Sequence, residues 1–222
     1  MVYNELLNDE VKRYFRQLAK LFGNEIFLRI PKNKIEKDTS ELLNSFESQI
    51  SNCLKCSLGL TRKNFVFGVG NSKADIVFVG EAPGKEEDLK GEPFVGKAGQ
   101  LLDKILAAIK MTRGEVYICN IIKCRPPNNR TPHDIEIEEC LPYLERQLKL
   151  ISPLLIVALG STAAQALLKL NAPLGKLRSK KWKWQDYDLV VTYHPAALLR
   201  NSAFKRPTWE DFQWISKIIG KT

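Results

Sequence analysis

Apolar residues are concentrated in four short, nearly continuous runs along the chain. Their length and their content of β-branched side chains predict strands that are buried on both faces of a sheet. The four runs lie at residues 75–79, 116–122, 154–159 and 188–192. Segments with apolar side chains at helical spacing alternate with them, at residues 97–110, 132–151, 162–170 and 207–219. This alternation predicts an α/β protein, a three-layer α/β/α sandwich around a central four-stranded, mostly parallel sheet.

The first forty residues differ from this pattern. Apolar side chains at helical spacing predict a helix over residues 4–22, followed by a linker. Asp38 then has the position of an N-cap and predicts a second helix over residues 39–50. We therefore predict two parts, a helical extension over residues 1–40 and a main domain over residues 41–222.

Polar residues stand at the carboxyl ends of three predicted strands, or just after them. Glu81 follows the first strand, Asn120 lies near the end of the second, and His194 follows the last. Open parallel sheets bind ligands at this edge, so we expect the three side chains to converge. A carboxylate can orient or deprotonate water, an amide can recognise a nucleobase, and a histidine can donate to an oxygen that becomes anionic. Phe94, in the loop after the first strand, could stack on a base.

Each of these side chains also has a structural explanation. Asn120 could simply end a strand, and His194 could be a loop histidine with its hydrogen bonds satisfied. Glu81 could cap a helix or carry surface charge, and Phe94 could belong to the core. Their shared position at strand ends favours the functional interpretation.

Four of the five cysteines have the spacing of a metal site. Cys53 and Cys56 form a Cys-x-x-Cys pair, and Cys124 and Cys140 would complete a set of four thiolates from elsewhere in the fold. Such a set suits either zinc or an iron–sulfur cluster, and the spacing leaves the choice open. A redox pair and buried inert thiols are the alternatives. Cys119, inside the second predicted strand, is expected in the core.

Charge adds a candidate partner. The chain has 34 Lys and Arg against 25 Asp and Glu, a net charge of +9. This predicts a polyanionic partner, nucleic acid first, although lysines could also serve solubility alone. In the segment 176–184, Arg178 and Lys180 stand beside two tryptophans. That pattern could follow a phosphate backbone, or it could form a solvated edge hairpin.

Two further segments are candidates for contacts with DNA. Ser161 begins a predicted helix, whose free N–H groups could bind a phosphate, although a plain N-cap is the simpler explanation. Leu198, Leu199 and Arg200 follow the histidine in a predicted loop. Such apolar side chains can wedge into a base stack, and they could equally be core residues.

Four motifs in this order resemble the type-four uracil-DNA glycosylases, the thermostable iron–sulfur branch of their superfamily. They are Gly80-Glu-Ala-Pro-Gly84, Pro93-Phe-Val-Gly-Lys-Ala-Gly-Gln-Leu-Leu-Asp103, Asn120 followed by Lys123-Cys-Arg-Pro-Pro, and His194-Pro-Ala-Ala-Leu-Leu-Arg-Asn201. The resemblance covers about residues 45–220. It implies that a [4Fe–4S] cluster is bound by Cys53, Cys56, Cys124 and Cys140.

The resemblance also implies a role for each matching residue. Gly80, Glu81 and Ala82 would line the uracil pocket, Phe94 would stack on the base and Asn120 would bond its Watson–Crick edge. His194 would stabilise the charge that develops on O2. Glu87 falls where the family is thought to block the 5-methyl group of thymine, and Leu198 or Leu199 would fill the gap left by the flipped nucleotide.

One position departs from the wider superfamily. The first motif of the classical members contains an aspartate that addresses the water, and this chain has Ala82 there. The partner of the water is therefore open, and Glu81 is our candidate. The competing functions are a type-five-like glycosylase of broader specificity and a non-enzymatic iron–sulfur protein that binds DNA or senses redox state.

The resemblance implies partners as well. We expect single- and double-stranded DNA that contains uracil as substrate, a monomer, and a location in the prokaryotic cytoplasm with the nucleoid. A sliding clamp or another repair protein is a candidate partner of the N-terminal extension. The sequence has no apolar run long enough to predict a membrane span and no secretory signal at its N-terminus.

Overall fold

The structure is a computed structural model and describes residues 38–220. The predicted helix at residues 4–22 and its linker lie outside the described residues. The division of the chain at residue 40 therefore stays a prediction. The second predicted helix is present as α1, Thr39–Ile50, and the side chain of Asp38 caps it by accepting from Ser40 N–H at 3.2 Å.

A mixed sheet forms the centre of the described part of the chain. Its strands are β1 Val69–Gly70, β2 Ile76–Gly80, β3 Tyr117–Asn120, β4 Leu155–Leu159, β5 Lys181–Trp184 and β6 Tyr187–Thr192. They lie in the order β1-β3-β2-β4-β6-β5. The four inner strands are parallel, as the sequence predicts, and β1 and β5 pair antiparallel at the two edges. The predicted count of four strands is therefore wrong, because both edge strands add to the sheet.

The two edge strands, β1 and β5, lack the continuous apolar pattern that predicts the inner strands. β1 has two residues, one of them glycine, and pairing of Val69 with Ile118 on β3 defines it. β5 alternates lysine with tryptophan, and its Lys181 and Lys183 reach Asp188 of β6 at 2.6 and 2.7 Å. This matches the interpretation of the segment as an edge hairpin protected by lysines.

Helices flank both faces of the sheet, and the sheet separates two hydrophobic cores. They are α1, then α2 Leu58–Thr61, α3 Lys85–Lys90, α4 Lys97–Ala108, α5 Asp134–Ile151, α6 Ser161–Leu168, α7 Leu174–Leu177, α8 Pro195–Arg200 and α9 Lys205–Ile218. One core joins Val77 and Val79 of β2 to apolar residues of α1, α5 and α6. The other joins Ile76 and Phe78 to α4 and α9, where the Phe78 and Phe212 rings stack at 5.8 Å. The predicted three-layer α/β/α arrangement is confirmed.

Two short helices replace predicted loops beside the carboxyl edge of the sheet. α3 interrupts the loop after β2, where Gly84 stands before it. α8 begins directly after His194, which caps it, and Pro195 occupies its first position, where a missing N–H costs nothing. The segment with Leu198 and Leu199 is therefore a turn of helix.

Strand register brings the polar strand ends together. Gly80 of β2 lies opposite Asn120 of β3, and Leu159 of β4 lies opposite Thr192 of β6. Glu81 and His194 follow these positions by one and two residues, so they stand at the same edge as Asn120. Among residues 38–220, no helix is both long and apolar enough to cross a membrane.

Candidate active site

A cavity of about 420 Å³ opens at the carboxyl edge of the sheet. Most of the predicted site residues line it: Glu81, Ala82, Glu87, Phe94, Asn120, Ser161, His194 and Arg200. Gly80 lies just behind this lining. A Cβ at Gly80 would come within 2.4 Å of Asn120 Oδ1 and 2.7 Å of the Phe94 ring. Only glycine at this position leaves the amide and the ring where they are.

Asn120 presents an unused acceptor in this cavity. Its side chain is 2% exposed, and its Oδ1 is buried without a hydrogen-bond partner. Buried polar atoms nearly always have partners, and an orphan costs the desolvation of that group. The cavity therefore offers this oxygen to a ligand that brings an N–H donor.

His194 is a neutral hydrogen-bond donor. Its Nδ1 accepts from the N–H of Ala196 at 3.1 Å, so the proton of the neutral ring lies on Nε2. Burial lowers the pKa of His194 to about 4; Arg200 lowers it further and Glu87 opposes the shift. At neutral pH the imidazole is uncharged and can donate from Nε2 into the cavity.

Phe94 forms an aromatic wall beside the histidine. The two ring centroids are 5.3 Å apart and their planes are tilted by 30°. Phe94 has a φ of 54°, a left-handed conformation that is unfavourable for a bulky residue. Arg113 holds this turn, because its guanidinium donates to the carbonyl oxygens of Pro93 and Phe94.

Glu87 joins the two loops that border the cavity. Its Oε1 accepts from the N–H groups of Val95 and Gly96 at 3.0 and 2.9 Å, and its Oε2 accepts from Gly84 N–H at 3.2 Å. The carboxylate is therefore held in one place on the cavity wall. Glu81 also lines the cavity and is partly exposed, so its carboxylate can meet water there.

Comparisons with known proteins give the same answer as the motifs. The family model of the uracil DNA glycosylase superfamily matches residues 67–213. A type-4 uracil-DNA glycosylase of Archaeoglobus fulgidus is 46% identical over 82% of this chain and 95% of its own length. The type-4 enzymes of Saccharolobus solfataricus and Thermotoga maritima are 43% and 42% identical, over 80% and 82% of this chain and 86% and 96% of their own lengths. The chain belongs to the type-4 uracil-DNA glycosylases.

In this type-4 glycosylase, the four predicted metal ligands come together in a second, small pocket. Cys53, Cys56, Cys124 and Cys140 line it together with Phe65 and Tyr143, and all four are free thiols. Among residues 38–220, no three His, Cys, Asp or Glu side chains are grouped so as to hold a single metal ion. Cys119 lies apart in β3 and is 1% exposed, which confirms it as a core thiol.

Hydrogen-bond donors surround these sulfur atoms. Arg62 Nη1 lies 3.3 Å from Cys124 Sγ, and the Tyr143 hydroxyl lies 3.2 Å from Cys53 Sγ. Burial raises the pKa of the Cys140 thiol to about 12. Buried thiols with nearby donors become thiolates when a metal binds, because the metal supplies the missing positive charge.

The residues predicted to contact DNA differ in their exposure to solvent. Leu199 and Arg200 are exposed on α8, whereas Leu198 is buried. Ser161 is exposed at the start of α6, and Lys180 is exposed before β5.

Arg178, also predicted to contact DNA, is mostly buried in an ion pair. It donates from Nε and Nη2 to both oxygens of Asp211 at 2.8 and 2.9 Å, and from Nη2 to Pro207 O. Its side chain is 11% exposed and lies over the ring of Tyr193. These contacts favour a structural role for Arg178 beside Tyr193 and Asp211. The predicted contact of Arg178 with DNA stays a prediction.

Sequence reasoning missed two residues beside the site. Arg130 lines the cavity and is held by both oxygens of Glu136 at 2.8 and 2.7 Å. Arg113 supports the turn at Phe94 from 19 residues away. The sequence contains each arginine but does not show which carboxylate or carbonyl oxygen accepts its hydrogen bonds, so it carries no signal for either role.

Proposed function

We propose that this chain is a uracil-DNA glycosylase of DNA repair. It flips uracil out of DNA, hydrolyses the N-glycosidic bond, and leaves free uracil and an abasic site. The observation that carries the proposal is the buried, unpartnered Oδ1 of Asn120, which lies in a cavity that also contains the neutral donor His194.

Asn120 supplies the means to tell uracil from cytosine. The N3–H of uracil donates to Asn120 Oδ1, and the amide nitrogen donates to O4. Cytosine has a lone pair at N3 and an amino group at position 4, so both contacts would fail. An unpaired polar group in a closed site discriminates strongly between such bases. Phe94 stacks on the base, and the fixed carboxylate of Glu87 stands where the methyl group of thymine would intrude.

His194 addresses the charge that the reaction creates. When the bond between C1′ and N1 breaks, its electron pair stays on uracil and is shared with O2. The Nε2–H of His194 donates to this oxygen as it becomes anionic, a preorganised contact that is stronger in the transition state. Water then forms the new bond to C1′, oriented by Glu81, and its proton passes to that carboxylate or to solvent.

DNA would approach along α8 and α6. Leu199, which is 53% exposed, is the side chain able to fill the space left by the flipped nucleotide, since Leu198 is buried. Arg200, Lys180 and the N–H groups that begin at Ser161 would contact phosphates. The net charge of +9 supports uracil-containing single- and double-stranded DNA as partner.

The four grouped cysteines fit a [4Fe–4S] cluster, as the resemblance implies. Cys53, Cys56, Cys124 and Cys140 supply four thiolates, and Arg62 and Tyr143 donate to two of the sulfur atoms. A bound cluster would be held by these cysteines from the loop after α1, the segment after β3 and α5, and its iron–thiolate bonds would cross-link those segments. The monomeric state, the clamp-type partner of residues 1–40 and the location with the nucleoid stay predictions.

Release of uracil from an oligonucleotide with a single uracil tests the proposal. The wild-type protein should release it, and His194→Ala should lower the single-turnover rate about 10²- to 10³-fold. Binding of the DNA without any release would instead support a non-enzymatic DNA-binding protein. Duplexes with hypoxanthine or thymine opposite guanine, assayed beside uracil, separate a type-five-like specificity from a strict one.

A further inference from the structure

Lys123 is a fully buried amine between the two sites. Its side chain is 0% exposed, although lysine is almost never buried without a partner. It stands three residues after Asn120 and directly before Cys124.

The amine is bonded to the main chain of Asn120. Lys123 Nζ donates to Asn120 O at 2.9 Å. The next two residues are held by the end of β2 and the residue after it, because Ile121 N–H donates to Gly80 O and Ile122 N–H donates to Glu81 O. The lysine therefore supports the one carbonyl at which β3 leaves the sheet, and that carbonyl belongs to the residue with the unpartnered amide oxygen.

The main chain of Lys123 is fixed on its other side. Its carbonyl oxygen accepts from Val66 N–H at 2.9 Å. The side chain thus extends from a braced segment of the cysteine site back to the end of β3.

We propose that Lys123 is a positioning residue for base recognition, and this inference rests on the proposed function. Its amine fixes the Asn120 main chain, and through it the angle at which the amide meets the Watson–Crick edge of uracil. An ammonium and a neutral amine both provide the N–H donor that the contact needs. The role therefore depends on the length and the donor of the side chain.

Lys123→Met tests this role, because methionine has a similar length and no donor. The probes are a duplex with 2′-fluorinated deoxyuridine, which resists cleavage, and a matched duplex with a tetrahydrofuran abasic site. The ratio of their dissociation constants reports the contribution of the base. We expect the variant to lose about tenfold of this ratio. Its affinity for the tetrahydrofuran duplex, which places no base in the cavity, should stay within about twofold.

Lys149→Met is the matched control, since Lys149 is exposed on α5, and it should change neither affinity. Iron content is measured for every variant. An unchanged ratio in Lys123→Met would overturn the inference. So would loss of iron together with base recognition, because a role in building the cysteine site would explain both.

If Lys123→Met does not fold, the same measurements on Lys123→Leu, which also lacks a donor, decide the matter. A lower ratio with iron retained supports the inference, and an unchanged ratio overturns it. The proposed function fails separately, if the wild-type protein releases no uracil.

Discussion

The chemistry of His194 follows from where its ring nitrogens point. Ala196 N–H occupies Nδ1 at 3.1 Å, and this contact comes from the start of the helix that the same residue caps. One short helix therefore sets the tautomer, and burial sets the charge. A neutral ring with its proton on Nε2 can donate to a developing oxyanion without first losing a proton to solvent.

The pH profile of the reaction should reflect this burial. The pKa of His194 is lowered from 6.5 to about 4, so the folded protein holds the ring neutral where the unfolded chain begins to protonate it. The buried neutral ring therefore contributes to the free energy of unfolding above about pH 6.5. That contribution is lost as the pH falls from there through about 4. Protonation also removes the acceptor that Ala196 uses.

Single-turnover rates of uracil release should accordingly show no inflection near pH 6.5 and should fall near pH 4. His194→Asn, which cannot titrate in this range, is the control and should lack the step attributed to the histidine. A step in the wild-type profile with an apparent pKa of about 6.5 would show that the ring is solvated and contradict the buried geometry.

Asn120 gives a second prediction at the scale of one residue. Asn120→Asp removes the amide donor to O4 and places a carboxylate or a carboxylic acid against the base. We expect lower activity on uracil and a weaker preference for uracil over cytosine. Rates on matched oligonucleotides with either base measure the change, and Asn120→Ala is the control that should lose activity without gaining on cytosine. A variant as selective as the wild type would assign recognition elsewhere.

At the scale of elements, a buried network supports β6 and the segment that follows it. Asp211 of α9 accepts from Thr192 Oγ1 at 2.6 Å and from Arg178. The arginine lies over Tyr193, which stacks on Phe204 at 4.3 Å. The residues just before His194 are thus held by α9 and by the loop before β5.

Arg178→Met should therefore act on stability. Asp211 is 3% exposed, and removal of its partner leaves a buried charge uncompensated. We expect the free energy of unfolding to fall by about 3–5 kcal/mol, measured by denaturant titration. The salt dependence of DNA binding should be unchanged. Lys180→Met is the control, and it should lower the slope of log affinity against log salt by about one without loss of stability. A lower salt slope with unchanged stability in Arg178→Met would instead show that Arg178 contacts DNA.

These elements also show how far sequence reasoning reaches. The inner strands are mostly apolar, and that pattern predicts them and the site at their ends. β1 and α8 are different, because they have only two and six residues and show too little periodicity to be predicted. β1 is defined by its pairing with β3, and α8 by its cap at His194. Whether Leu198 or Leu199 faces solvent is decided by α8. The sequence also does not show the partner of an arginine. Arg178 could bind a phosphate or a carboxylate, and only the fold places it against Asp211, 33 residues away.

At the scale of the whole molecule, the cysteine site connects segments that the sheet does not. Cys53 follows α1, Cys124 follows β3 and Cys140 lies in α5. The hydrophobic core on this side of the sheet includes Cys124 and Cys140 together with the buried face of α1. A cluster bound here, as proposed, would close long loops of chain, and its binding free energy would become part of the folding free energy.

Loss of the cluster should then cost both stability and activity. Cys124 is only four residues after Asn120, so a loosened end of β3 would also displace the amide that we propose for base recognition. We expect Cys140→Ala to lose iron and the absorbance at about 400 nm that such clusters give. The variant should also melt at a lower temperature and release uracil more slowly at every temperature.

Cys119→Ala provides the matched control, because it removes a buried thiol that lies outside the pocket of the other four. It should keep the iron content and the rate of uracil release, and it should lose only the stability expected from a small core cavity. An iron-free Cys140→Ala protein with wild-type activity would contradict the cross-link argument, since the end of β3 would then hold its shape by hydrogen bonds alone. Loss of iron from Cys119→Ala would instead show that the ligand set is wrong.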